Sequence, residues 1–196
     1  EMTVCEGVNY IADNNLYEFD TADQGQLYSY HQPNILNIYF VESITSGGNG
    51  ICGYTYLPGS NTQWYDVIVM DNQCTTNASG DTLLHEFGHH WNLIHTHGTT
   101  NGTLTDELVN GSNCSTAGDR ICDTPADPQL NGSNVSNVSC VYTGSDTDAQ
   151  GQPFDPDTSN IMSYSPQSCT NTLSDGQFAR MYAGYHTFKS YYECPS

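Results

Sequence analysis

Eleven residues, His85-Glu86-Phe87-Gly88-His89-His90-Trp91-Asn92-Leu93-Ile94-His95, constrain this chain more than any other stretch. Residues four apart on an α-helix stand one above the other on the same face, so His85 and His89 direct two ring nitrogens at one point. On the same straight helix, His95 would sit roughly 9 Å further along the axis than His89. If the third imidazole is to join the other two, the helix must stop and the chain must turn back. Asn92 stands where that reversal is needed, and after Gly, Asn most readily takes the left-handed conformation that ends a helix. Glu86 is rotated about 100° from His85, which directs its carboxylate beside a metal held by the histidines rather than onto it.

Three imidazole donors point to zinc, and they leave a fourth position for water, the open arrangement of a catalytic rather than a structural site. Zinc brings the pKa of its water to about 7 and polarises a carbonyl, while a neighbouring carboxylate takes the proton and later hands it to a leaving amine. The residues therefore imply one zinc ion on His85, His89 and His95, with Glu86 as general base and acid. Histidines that only line a helix face would rarely fall into the pattern of all four residues. His31, His90, His97 and His186 stand outside the pattern and are read as surface or capping residues.

The segment resembles the metzincin signature HExxHxxGxxH, with Asn92 in place of its glycine. Asn160-Ile161-Met162-Ser163-Tyr164 is similar to the methionine turn of the same enzymes. Gly118-Asp119-Arg120-Ile121-Cys122-Asp123-Thr124-Pro125-Ala126 is similar to the GD..DTPA stretch of the pappalysins, the ulilysin-like or cytophagalysin-like metzincins. Ser174-Asp175-Gly176-Gln177-Phe178-Ala179-Arg180-Met181 resembles the entry to that family's last helix, so the likeness runs from about Ile35 to about Tyr182.

The resemblance implies an α+β, metzincin-like zincin fold: a twisted mixed sheet with packed helices above a cleft, and an irregular, disulfide-braced lower lobe with a C-terminal helix. Residues 1–196 would form one metallopeptidase domain, with the zinc helix in an upper subdomain, 1–95, and the methionine turn and C-terminal helix in a lower one, 96–196. It makes Met162 a hydrophobic floor for the zinc site and Tyr164 a hydrogen-bond donor to the transition state. Relatives place an acidic group five residues beyond the methionine to hold basic side chains, whereas this chain has Gln167, so a strong preference for Arg or Lys is not carried over. Relatives also hold calcium in the GD..DTPA loop, which makes Asp119 and Thr124 calcium ligands here, completed by Asp106, Glu107, Asp127 or backbone carbonyls. A peptide or protein substrate, a monomer, and a signal and inhibitory propeptide upstream of Glu1 are further expectations from the family. The Gly53–Leu57 segment would be the sheet edge along which an extended substrate lies.

Eight cysteines without a zinc-like CxxC pair read as up to four disulfides and an oxidising compartment, hence a secreted, extracellular protein. The family suggests Cys140 with Cys169. Cys114 and Cys122 are close enough in sequence to close a small loop, and Cys52–Cys74 with Cys5–Cys194 is one completion. Three Lys plus Arg against 22 Asp plus Glu give a net charge of −19, which excludes nucleic-acid binding through basic patches and disfavours anionic membranes. No apolar run approaches the ~20 residues needed to cross a bilayer.

Local pattern gives the remaining elements. Residues 1–34 read as irregular, Ile35–Ile44 as one strand, Gly53–Leu57 and Asp66–Asp71 as two more, and Ser79–Trp91 as the zinc helix with Leu83, Leu84, Phe87 and Trp91 toward the sheet. Some sixty residues after His95 lack regular pattern. Ser174 and Gln177 form a capping box that opens a helix to about Lys189, with Phe178, Met181, Tyr182 and Tyr185 on one side. The reading that results is a secreted zinc endopeptidase. Its rivals are a secreted binding or adhesion module that keeps zinc only for stability, and a zinc hydrolase of non-peptide amides or esters.

Overall fold

The structure, a computed structural model, describes residues 11–59, 66–75 and 81–192. These form two compact units, one holding the described residues up to His90 with those from Gly184 on, the other Trp91–Ala183.

The first unit is built on six short strands in two sheets. β1 (Glu18–Asp20) runs parallel to β3 (Ser43–Ser46), which pairs antiparallel with β4 (Asn49–Gly50). β6 (Val67–Asp71) lies between β2 (Asn37–Val41), parallel to it, and β5 (Gly53–Thr55), antiparallel to it. β6 is buried at every position, as its unbroken apolar run requires of a central strand covered on both faces. The run Ile35–Ile44 is two strands rather than one. Glu42 and Ser43 both donate their N–H to the Tyr17 carbonyl, at 3.1 and 3.3 Å, and this bend sends β2 and β3 into different sheets. The expectation of an irregular start also fails within residues 14–29, which hold β1 flanked by 3-10 turns at Asn14–Leu16 and Thr21–Ser29. Asp13 and Asp20 cap those turns, each accepting a backbone N–H two residues on. Leu16, Phe19, Leu27, Val41, Ile44, Val67 and Val69 form the unit's core.

Behind β6 follow a single helical turn, α1 (Asn72–Thr75), and the helix of the histidines, α2 (Asp81–His90), which packs on β5 and β6. Leu84 is exposed, against expectation, while Glu86, Gly88 and His90 are buried. Ser79, the expected start, lies outside the described residues. The closing stretch of the chain also belongs to this unit. Lys189 forms a buried ion pair with Asp66, whose second oxygen accepts from the Tyr191 hydroxyl, and the His90 Nε2 lies 3.1 Å from the Tyr192 hydroxyl.

The second unit has one helix, α3 (Asp175–Gly184), preceded by more than eighty residues without regular strands or helices. Three isolated bridges, Val135 to Tyr142, Thr147 to Pro153 and Asn160 to Thr172, give this stretch its only ladder contacts. Side chains replace secondary structure as partners of its backbone: Asp148 accepts from the N–H groups of Val109, Gln150 and Gln152, each at 2.9 Å. Cys114–Cys122 and Cys140–Cys169 brace it, and Cys52–Cys74 braces the first unit, all as expected; Cys5–Cys194 lies outside the described residues.

The capping box of α3 forms in both directions, Ser174 N–H to Gln177 Oε1 at 2.8 Å and Gln177 N–H to Ser174 Oγ at 3.1 Å. The apolar side assigned to this helix is corrected. Phe178 and Tyr182 are 56% and 69% exposed, whereas Gln177 is fully buried and Met181 packs on the cluster of Leu93, Ile121, Ile161 and Met162. Regular α-helix ends at Gly184, and a π turn followed by a 3-10 turn carries the chain to Tyr192.

Candidate metal centre and active site

α2 ends at His90, and Asn92 takes φ +80°, the left-handed conformation that turns the chain back. The consequence lies within the eleven-residue segment: donor atoms of His85, His89 and His95 all fall within 4.8 Å of one another. The Nε2 atoms of His85 and His89 are 3.1 Å apart. A tetrahedral ion with metal–nitrogen distances of about 2 Å holds its nitrogens about 3.3 Å apart, so the residues fit zinc. Among the described residues no other His, Cys, Asp or Glu trio is this close.

Glu86 is 6% exposed, and burial pushes its carboxyl up to about 7. Its side chain lies over β5, where a Cβ built on Gly53 would stand 3.2 Å from the Glu86 Cγ. Among the described residues β5 pairs only with β6, and none of them pairs with its outer edge.

His95 is held from its own side. The Thr96 N–H donates to the Met162 carbonyl at 3.1 Å, and the Thr96 hydroxyl donates to Asp127. Met162 is fully buried in the cluster with Leu93. The Tyr164 ring lies 4.4 Å from that of His95, and its hydroxyl-bearing side chain is 37% exposed. The methionine turn is tied to α3 by two amides. The Asn160 Nδ2 donates to Gln177 Oε1 at 2.9 Å, and Gln177 Nε2 donates to Asn160 Oδ1 at 3.1 Å, both side chains being buried. Gln167 is exposed, and its carbonyl accepts from Thr170.

His97 is corrected from a surface residue to a buried one, 4% exposed. Its ring stacks on His95 at 5.1 Å and lies 4.9 Å from Tyr164. His90 likewise is fully buried, and burial with the nearby Lys189 charge lowers it to about 4. Sequence carries no signal for either burial, because both depend on what the fold packs around the ring.

In the GD..DTPA loop, the Thr124 hydroxyl lies 2.9 Å from Asp119 Oδ1 and 2.6 Å from the Ile121 carbonyl, so three oxygens converge. Asp119 Oδ2 and Glu107 Oε2 are buried without a hydrogen-bond partner. Burial, then the charges of Asp119 and Asp127, push Glu107 up to about 8, and burial raises Asp119 to about 6. The Glu107 carboxylate occupies the space a methyl group at Gly118 would need. Asp123 of the same loop caps α3, accepting from Ser174 Oγ at 2.8 Å and from the Gly176 N–H at 2.7 Å. Asp106 is exposed, and Asp127 is taken up by Thr96 and by the Leu130 N–H.

A family model described as pregnancy-associated plasma protein-A, a peptidase family, matches residues 20–186. An extracellular metalloprotease of Arthroderma benhamiae is 30% identical over 163 residues, 79% of this chain and 49% of that protein. One of Colletotrichum graminicola is 28% identical over 170 residues, 81% of this chain and 52% of that protein. The chain thus spans about half the length of these relatives. Among solved structures, mature mirolysin of Tannerella forsythia in complex with a cleaved peptide is similar at 20% identity and a TM-score of 0.58, over 89% of this chain and 64% of that one. Mirolysin in complex with compound 9 gives 21% identity and a TM-score of 0.56, over 87% of this chain and 62% of that one. That likeness establishes the metzincin-like fold. With the three histidines brought to one point and the family model spanning most of the sequence, this chain belongs to the pappalysin family of zinc metallopeptidases.

Proposed function

We propose that this protein is a secreted zinc endopeptidase, and the observation that carries the reading is the convergence of His85, His89 and His95 beside a buried Glu86. Zinc, when bound, supplies Lewis acidity that polarises the scissile carbonyl and lowers the pKa of the water it holds. Glu86 takes the proton of the attacking water and delivers it to the leaving amine; its raised affinity for a proton suits a group that must both accept and return one. Tyr164, exposed beside His95, donates a hydrogen bond to the carbonyl oxygen as negative charge develops there. Met162 supports the third ligand through the Thr96 N–H.

The outer edge of β5 is where an extended peptide adds a strand, and the cleaved peptide bound to mature mirolysin supports a peptide substrate. Exposed Gln167 is the pocket residue, and as a neutral amide it confers no strong preference for basic side chains. Disulfides and extracellular relatives support secretion. The enzyme acts as a monomer and is restrained before maturation by an upstream propeptide. Residues 1–196 serve as one catalytic domain.

A calcium ion bound by Asp119 and Thr124 stabilises the long loop; the converging oxygens of Asp119, Ile121 and Thr124 and the unpartnered Glu107 oxygen support it.

Digestion of casein by wild-type protein and by Glu86→Ala, with zinc measured in both by elemental analysis, tests the central reading. Activity lost with one zinc retained is expected. Matured wild-type protein that holds zinc and cleaves nothing overturns it.

A further inference from the structure

We propose that His97 is a positioning residue that sets the orientation of His95 and Tyr164 together. The inference rests on the zinc reading of His95. Three rings meet pairwise: His95 with His97 at 5.1 Å and an interplanar angle of 7°, His97 with Tyr164 at 4.9 Å and 54°, His95 with Tyr164 at 4.4 Å and 58°. His97 alone of the three is buried. A flat ring stacked within 7° of parallel fixes the plane of its neighbour, and the plane of His95 decides where its ligating lone pair points. The same ring backs Tyr164 from inside, so one side chain sets a metal ligand and the tyrosine that faces substrate.

Something must in turn fix His97. Its Nε2 lies 3.0 Å from the Asn101 Oδ1, which also accepts from Gln129 Nε2 at 3.4 Å. An oxygen acceptor there calls for a proton on Nε2, while Nδ1 is buried without a hydrogen-bond partner. A buried nitrogen of this kind has a desolvation cost that an apolar ring of the same shape would avoid, so the imidazole is held by its bond to Asn101 and by its stacking. The backbone keeps the two histidines in register, because the Gly98 N–H donates to the His95 carbonyl at 2.8 Å and closes a turn around them. Partners behind a metal-bound histidine commonly alter metal affinity or activity by about 10–100-fold when removed, which is the range expected here.

The test compares His97→Phe, which keeps a flat ring, with His97→Leu, which keeps bulk without one. Zinc affinity is read by chelator competition, and kcat and KM on a peptide substrate are read separately. The Leu variant is expected to bind zinc about tenfold more weakly and to lose kcat at nearly unchanged KM, while the Phe variant stays within about twofold of wild type in both. A Leu variant equal to wild type, or a Phe variant as impaired as Leu, overturns the proposal. If the Leu variant does not fold, His97→Met serves, which likewise keeps bulk without a ring; zinc affinity reduced about threefold or more is then expected, and no reduction overturns the proposal. Wild-type protein that binds no zinc sinks the peptidase reading as well, which separates the two failures.

Discussion

Gly53 on β5 and Glu86 on α2 pack so closely that a methyl group on the first would stand 3.2 Å from the Cγ of the second, 3.0 Å from the Met70 sulfur and 3.2 Å from the Val69 carbonyl oxygen. The backbone of the edge strand thereby lies directly against the proposed general base. Gly53→Val is expected to displace Glu86 and to lower kcat/KM at least tenfold with zinc content unchanged, and Gly53→Ala to have a smaller effect in the same direction. A Gly53→Val enzyme of wild-type activity would show that the close packing is incidental.

Asn92 at φ +80° carries the reversal on which the third ligand depends. Asn92→Ala keeps the Cβ in a conformation that costs about 1–2 kcal/mol but loses the polar side chain that eases it for Asn, and Asn92→Gly removes that cost. Chemical denaturation is expected to rank the variants Gly at or above Asn, with Ala lowest. Equal stability of all three would show that the turn is fixed from elsewhere.

Asn160 and Gln177 exchange two hydrogen bonds in a fully buried setting, so removing either side chain leaves the other's amide NH2 without this partner, while Gln177 Oε1 keeps the Ser174 N–H and Asn160 Oδ1 the Met162 N–H. Each single Ala variant is expected to lose about 1–3 kcal/mol of unfolding free energy. The double variant should lose less than the sum, because the second truncation removes the orphan left by the first. Strict additivity would mean that the pair is not coupled.

The acidic loop makes a prediction about pH. Glu107 and Asp119 bind protons in the folded protein up to about 8 and about 6, above their ordinary values. Between about pH 4 and pH 8 the folded state therefore holds protons that the unfolded state has released, and stability falls as pH rises. Calcium needs the ionised carboxylates and opposes this trend. In EGTA the melting temperature is expected to drop from pH 5 to pH 8, and millimolar calcium to flatten or reverse the drop. The same slope with and without calcium would remove the calcium site from the proposal.

What was legible in the sequence is what local geometry dictates. The spacing of His85, His89 and His95, the turn at Asn92, and the Ser174–Gln177 box each depend on a few bonded neighbours, and each is found in place. What was not legible depends on partners distant in sequence. Ile35–Ile44 is uniformly strand-like, and only the Tyr17 carbonyl bends it into two sheets. Helical spacing put Phe178, Met181 and Tyr182 together, yet only Met181, partly buried, packs on the second unit's core, while the two aromatic rings stand mostly in solvent. His97 and Glu107 are polar residues in a loop-rich stretch, and neither burial could be inferred without knowing that His95, Tyr164 and Gly118 come to meet them.

Each of the chain's three basic side chains has a distinct setting. Lys189 is buried against Asp66, and Arg180, half-buried, donates to the backbone carbonyls of Asp119 and Arg120, so Arg120 alone is exposed. A trypsin-like enzyme sharing the same medium would find one ready target in this sequence. That target lies inside the loop closed by Cys114 and Cys122. Cleavage after Arg120 would leave the two fragments covalently joined, so the nick would surface only when the sample is reduced.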